Sequence, residues 1–459
     1  MRDEKQMDIR KQPASYGVAG PGRVGPGQAQ GPEPPGQGTE PQGDAGIQAA
    51  RSELSGMASY APDSMLGPEM QLSRQSTVPG EDWYCPAAAY NSLRHSQIVL
   101  THAHAATRGD IYGYCWSAAN PDDWIWFWRM KGVQPAVAYN RTEDNFLVVA
   151  MYDPNLDGHY QIWGVIVQGD CTGSSAPFRI FQWANRSFWS PRVAWNSYRN
   201  EYLVVWNAVD TTTGLPNDIS AARVSASGEV LPGAPHVIND FGRPHQADVA
   251  YNPAADEYLV VWREYGVGLD GNIYGARLRG SDVSLVSPPG VFAICAAPED
   301  LRSPAVTTNQ QSRYMVVWEH AYPGPCCDWD IRGQELDLTG KRVGDVVIIS
   351  QTADDETHPR VVARPGPQRD YLVVWQRETA TGSEIWARWW GGPGVQDEYL
   401  QVAAAAWWDH AKPAVALTGP RYLFAYEADS QADPTQFRHI YGRQWTPYVE
   451  FLPVVLKVW

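Results

Sequence analysis

One phrase recurs seven times after about residue 80 and fills almost all of the remaining chain. It runs Pro-x-Val-Ala-Tyr-Asn, then Glu-Tyr-Leu-Val-Val-Trp, then Asp-Ile-Tyr-Gly. The clearest copy holds Ala250, Tyr251 and Asn252, then Glu257 to Trp262, then Asn272, Ile273, Tyr274 and Gly275. Copies start at Pro86, Pro135, Pro191, Ala247, Pro304, Pro359 and Pro413, at spacings of 49 to 57 residues. A unit of this size cannot bury its apolar faces alone, so neighbouring units must stack on one another.

Each unit reads as four short strands. Pro-x-Val-Ala-Tyr-Asn is the first. Tyr-Leu-Val-Val-Trp, an apolar run of β-branched and aromatic residues, is the second. Asp-Ile-Tyr-Gly continuing into Ala-Arg-Val is the third, and weaker segments such as Val346 to Ser350 or Pro235 to Asn239 supply the fourth. Turn residues such as Asn252-Pro-Ala-Ala-Asp256 separate them. Four strands per unit, repeated radially, predict an all-β, seven-bladed β-propeller of four-stranded blades. An open solenoid would need polar end caps, and neither terminal copy reads as one.

The propeller is expected over 79–459. Residues 1–78 carry the Gly-, Pro- and Gln-rich stretch around Gly20 to Pro35. Such a composition buries too little apolar surface to offset chain ordering, which predicts a disordered tail or a tether.

The Ala-Tyr-Asn, Tyr-Leu-Val-Val-Trp and Asp-Ile-Tyr-Gly register is similar to that of a group of bacterial propellers, often on exported proteins, and distantly resembles TolB-type propellers. The resemblance implies that the first strand of each blade lines the central channel, with Val137, Val193, Val249, Val306 and Val415 near the inner rim. It also implies an extracellular or cell-surface location, although Met1-Arg-Asp-Glu-Lys-Gln-Met-Asp opens no secretory leader.

A net charge of -15 argues against nucleic acid as a partner. No apolar run is long enough to span a bilayer as a helix. The six cysteines, Cys85, Cys115, Cys171, Cys295, Cys326 and Cys327, show no zinc spacing. Cys295 with Cys326 or Cys327 is the first disulfide pairing to test.

Candidate binding residues are sought where the copies differ. The position directly after the second strand holds His102, Met151, Asn207, Arg263, Glu319, Gln376 and Glu427. These are expected at loop tips, as a varied binding face or as diverging solvent positions. The recurring Trp206, Trp262, Trp318 and Trp375, with Tyr426, are expected between blades rather than on sugars. Surplus aromatics form a second candidate surface: Trp124, Trp126 and Trp128 on one strand, and the pairs Trp389–Trp390 and Trp407–Trp408. Asp153, Asp157 and Asp270 are the strongest of weak calcium candidates, since their loops fall short of an EF-hand ligand set. No other cofactor is expected.

No nucleophile elbow, HExxH motif or phosphate loop is present. The chain therefore reads first as a non-enzymatic binding or scaffold module for a protein or a carbohydrate. A glycan-active hydrolase or lyase and a structural subunit of a surface layer are the alternatives, the last implying homo-oligomers. The enzyme alternative requires acids with shifted proton affinity to converge in the channel.

Overall fold

The structure is a computed structural model. It describes residues 66–73, 82–105, 108–117, 120–265, 271–321, 328–366, 370–391, 398–404, 408–419, 421–430 and 438–446. Seven four-stranded antiparallel sheets form the blades, over 82–131, 133–181, 186–239, 244–295, 301–350, 355–403 and 408–445. Within each blade, strands pair in chain order. Each first strand packs against the first strands of both neighbouring blades, and blade seven meets blade one, so the ring is closed and its first strands are innermost. No described helix is long and apolar enough to cross a membrane.

Closure uses residues that the sequence reading assigns to the tail. Blade seven has three strands of its own, Trp408–Thr418, Arg421–Ser430 and His439–Trp445. Its fourth is Met70–Gln71, antiparallel to the third, with Met70 opposite Gly442 and Leu66 bridged to Trp445. A two-residue strand carries no readable alternation, and its partner lies at the far end of the chain, so composition could not reveal it. Residues 1–65 lie outside the described residues.

The repeated words are packing and capping groups. Trp206, Trp262 and Trp318 are fully buried, as are Tyr202, Tyr258, Tyr314 and Tyr426. Trp262 packs among Leu203, Val205 and Ala221 of the preceding blade, so it is inter-blade core as expected. The Glu that opens the second strand pairs with the Arg of the third: Arg223 reaches Glu201 at 2.8 and 2.7 Å, and Arg277 reaches Glu257 at 2.9 Å. At Gly275 an added Cβ would lie 2.9 Å from Ile294 of the fourth strand, so glycine permits the close approach.

The Asn that ends the first strand caps the following turn. Asn196 Oδ1 accepts the N–H groups of Tyr198 and Arg199, while its amide donates to Gly280 of the next blade. Asn91 and Asn140 do the same toward Asp144 and Asn200.

A disulfide joins Cys115 of blade one to Cys171 of blade two, with Cα atoms 6.3 Å apart. Among the described residues Cys295 is a buried free thiol, and its expected partners Cys326 and Cys327 lie outside them. The pairing that occurs joins neighbouring blades, a relation visible only once the ring is built.

Candidate functional site at the channel mouth

Every first strand begins before its Pro position, which is Ala247 in blade four, and is broken there by a β-bulge. The register shifts fall between Tyr84/Ala87, Val133/Ala136, Trp189/Arg192, His245/Asp248, Arg302/Ala305, Thr357/Arg360 and Ala411/Ala414. The residue before the Pro position adopts a left-handed conformation in all seven blades: Cys85, Gln134, Ser190, Gln246, Ser303, His358 and Lys412, with φ from 45° to 57°. A bulge takes a backbone N–H out of the ladder, and a buried N–H needs another acceptor.

The varied residues after the second strand provide that acceptor. They are buried strand residues, not loop tips, because strand pairing continues past the apolar run that marks the second strand. In six of the seven junctions, each reaches the bulge of the next blade. His102 Nδ1 faces the Gln134 N–H at 3.4 Å, and Met151 Sδ faces that of Ser190 at 3.4 Å. Asn207 accepts from Ala247 at 3.2 Å, Glu319 from His358 at 2.8 Å, Gln376 from Lys412 at 3.2 Å and Glu427 from Cys85 at 2.7 Å. All six side chains carry an acceptor atom. Arg263 carries none. It turns instead to Asp300, at 2.5 and 2.8 Å, and Gln246 accepts the Ser303 N–H at 2.9 Å.

The bulge residues themselves are partly exposed and line the channel near the ends of the second strands. Beside them, the x of Pro-x-Val is alanine in four blades: Ala87, Ala136, Ala305 and Ala414. In the other three it is Arg192, Asp248 and Arg360. Arg192 and Asp248 of neighbouring blades meet, and both act electrostatically on Arg360 of blade six. Arg192 Nε lies 3.8 Å from Asp248 Oδ1, and Asp248 Oδ2 accepts the Val306 N–H at 2.9 Å. Arg192 and Arg360 both act electrostatically on the Cys85 thiol of blade one. Nearby, Lys412 Nζ and Arg438 reach Glu427 at 3.3 and 3.0 Å, and both cations lie over the Tyr84 ring. Arg302 pairs with Glu319 and covers the Trp329 ring.

Enclosure and these charges pull proton affinities apart. Burial raises the Asp248 carboxyl above its usual range, against the opposing pull of Arg192. Burial also works to raise Glu319, but Arg302 and His358 outweigh it and hold that carboxyl low. Burial lowers His358, leaving a neutral imidazole at pH 7. Burial and then the Arg192 charge bring Arg360 down to about 10. Burial raises the Cys85 thiol despite the Lys412 charge beside it. These are groups enclosed on most sides yet touched by solvent, with side-chain exposure of 29% at Arg192 and 20% at Asp248.

Sequence reasoning passed over Arg192, Asp248, Arg360 and the bulge residues. The signal was present: charge at a position that is otherwise alanine, and disagreement directly before the recurring Pro-x-Val segment. The valines assigned to the inner rim lie on the innermost strands, but they pack into inter-blade clusters.

The other candidates stand elsewhere. Trp389 packs edge-on to Trp445 and its indole N–H reaches Asp370; Trp390 stacks on Tyr371. The two therefore serve opposite faces of blade six and are partly buried. Trp407 lies outside the described residues, as do the side chains of Trp408, Trp124, Trp126 and Trp128. Asp153 accepts the Asn155 and Gly158 N–H groups at 3.2 and 2.7 Å, and Asp157 accepts that of His159 at 3.0 Å, so both tie up their own loop. Asp270 lies outside the described residues. Among the described residues no three His, Cys, Asp or Glu side chains gather as a metal site.

No family model matches the chain, and no curated protein matches it. Solved structures with a similar fold include the polysaccharide lyase Uly1, at 8% identity over 83% of this chain and 99% of that one, with a TM-score of 0.49. The endo-arabinase of Bacteroides thetaiotaomicron matches at 11% identity over 59% and 93%, with a TM-score of 0.36. The acylaminoacyl peptidase of Pyrococcus horikoshii matches at 10% identity over 76% of this chain and 49% of its own, with a TM-score of 0.43. At these levels the likeness is one of fold. The expectation of a non-enzymatic binding or scaffold module is corrected by the site itself: polar groups with shifted proton affinity, the condition set for the enzyme alternative, converge at the channel mouth.

Proposed function

We propose that the chain is a glycan-active propeller enzyme, a hydrolase or lyase, working at the channel mouth of the bulge end. The observation that carries this reading is the gathering of Arg192, Asp248, His358 and Arg360 from three different blades. Cleaving a glycosidic link needs a proton delivered to the departing oxygen and a second group that accepts a proton or activates water. Asp248, whose carboxyl burial shifts toward its protonated form, is the group assigned to proton delivery. His358 of blade six, kept neutral by burial, is the group assigned to accept the proton. Glu319 and Glu427 are positioning residues: each anchors a bulge N–H, of His358 and of Cys85, and neither is exposed enough to meet substrate.

The test is turnover of a panel of neutral and acidic polysaccharides. Release of reducing ends without a new ultraviolet chromophore identifies hydrolysis; a new carbon–carbon double bond conjugated to a carboxylate identifies elimination. Loss of both on Asp248→Asn, with melting unchanged, supports the reading. Absence of turnover across the panel by the wild-type protein removes it.

A further inference from the structure

Resting on that reading, we infer that the ligand of this channel is an acidic glycan, and that Arg360 receives a carboxylate of its sugar units. The argument is a pairing of charges. Each carboxylate at the mouth already has its own cation: Glu319 has Arg302, Glu427 has Lys412 and Arg438, and Asp248 has Arg192 at 3.8 Å. Arg360 makes no ion pair with any described residue. Its one hydrogen bond goes to the carbonyl of Pro359, at 2.8 Å, through Nη1. The remaining donors of its planar fork have no acceptor among the described residues.

A guanidinium enclosed in this way is costly unless an anion meets it in contact, because distant carboxyl groups answer its desolvation only in part. The charges around it are mixed: Arg192 opposes the guanidinium charge, while Asp248 and Glu319, each already paired with another cation, favour it from a distance. Arg360 also occupies a position that is alanine in four blades, so the fold does not require it. A planar carboxylate fits a fork of two parallel N–H donors. On a sugar ring, that group belongs to a uronic acid.

The experiment is calorimetric titration of the full chain with an oligogalacturonide, the matching neutral galacto-oligosaccharide and inorganic sulfate, on the wild type and on Arg360→Met. The expected result is binding of the uronate oligosaccharide, at least tenfold weaker binding of the neutral one and of sulfate, and a loss of roughly tenfold or more in Arg360→Met. Equal binding of neutral and acidic sugars overturns the inference. So does sulfate binding as tightly as the oligosaccharide, which would mark a site for free inorganic anions. If Arg360→Met does not fold, the wild-type melting temperature decides. A rise with the uronate and none with the neutral sugar supports the inference, and the same rise with both overturns it. The two proposals fail separately. Uronate that binds through Arg360 without being cleaved leaves this inference standing and removes the enzyme reading. Cleavage of neutral glycans unaffected by Arg360→Met does the reverse.

Discussion

Arg192 and Asn196 share one inner strand, yet they belong to two regions governed by different rules. At the Asn end, blades one to four leave the strand through the same Asn-capped turn, each tied to the next blade or its turn by the same amide. At the Arg end, seven blades enter through one backbone device, a bulge with a left-handed residue, but its side chains differ from blade to blade. A shared backbone with varied side chains is how a rigid frame presents a site. The framework end teaches what holds the ring. The bulge end teaches that variation was placed on a backbone that does not vary.

The largest blow to the shared framework should come from Trp262→Ala. A fully buried inter-blade indole is lost, and about 3–5 kcal/mol of stability should go with it, read by denaturant unfolding. An effect below about 1 kcal/mol would mean that the blades do not pack as described.

Glu427→Ala attacks the bulge end. It removes the acceptor of the Cys85 N–H and leaves Lys412 and Arg438 facing each other, so a loss of about 2–3 kcal/mol is expected, discounted for the partial exposure of the two cations. Glu427→Gln keeps the acceptor and should retain a good part of that stability. Equal losses in both variants would show that charge, not the bulge N–H, is what Glu427 serves.

Asn196→Ala, at the other end, should cost roughly 1–2 kcal/mol by orphaning the Tyr198 and Arg199 N–H groups. Turnover should not change. A fall in activity with an intact fold would erase the distinction between the two ends.

The smallest effect is a slope with pH. Burial, reinforced by Asp330, raises the Glu356 carboxyl to about 8. The native state then binds this proton more tightly than the unfolded chain, so its stabilising contribution is complete below the ordinary glutamate range and is lost as pH rises toward about 8. Glu356→Gln should flatten that part of the stability profile, measured by unfolding between pH 5 and about 8.5. A profile unchanged by the substitution would mean that Glu356 is not the buried acid described here.

The framework was legible because every one of its residues is repeated. Tyr258, Trp262, Asn252 and Glu257 recur at one spacing, and their periodicity alone implies strands that must pack on copies of themselves. The bulge end was less legible for two physical reasons. Strand pairing runs on past the apolar stretch that marks each second strand, so Glu319 and Glu427 read as loop tips when they are buried strand residues. Arg192, Asp248 and Arg360 are neighbours only after the ring closes, and no local pattern states which blades face each other across it. Closure itself depends on Met70–Gln71, a strand too short to announce itself.

The claim that the bulge end is a catalytic site is tested most directly at Asp248. Asp248→Asn preserves an acceptor for the Val306 N–H and removes the titratable carboxyl. On whichever glycan the wild-type protein cleaves, turnover should fall by roughly a hundredfold or more while the melting temperature stays put. Turnover equal to wild type, with the fold intact, would contradict the account.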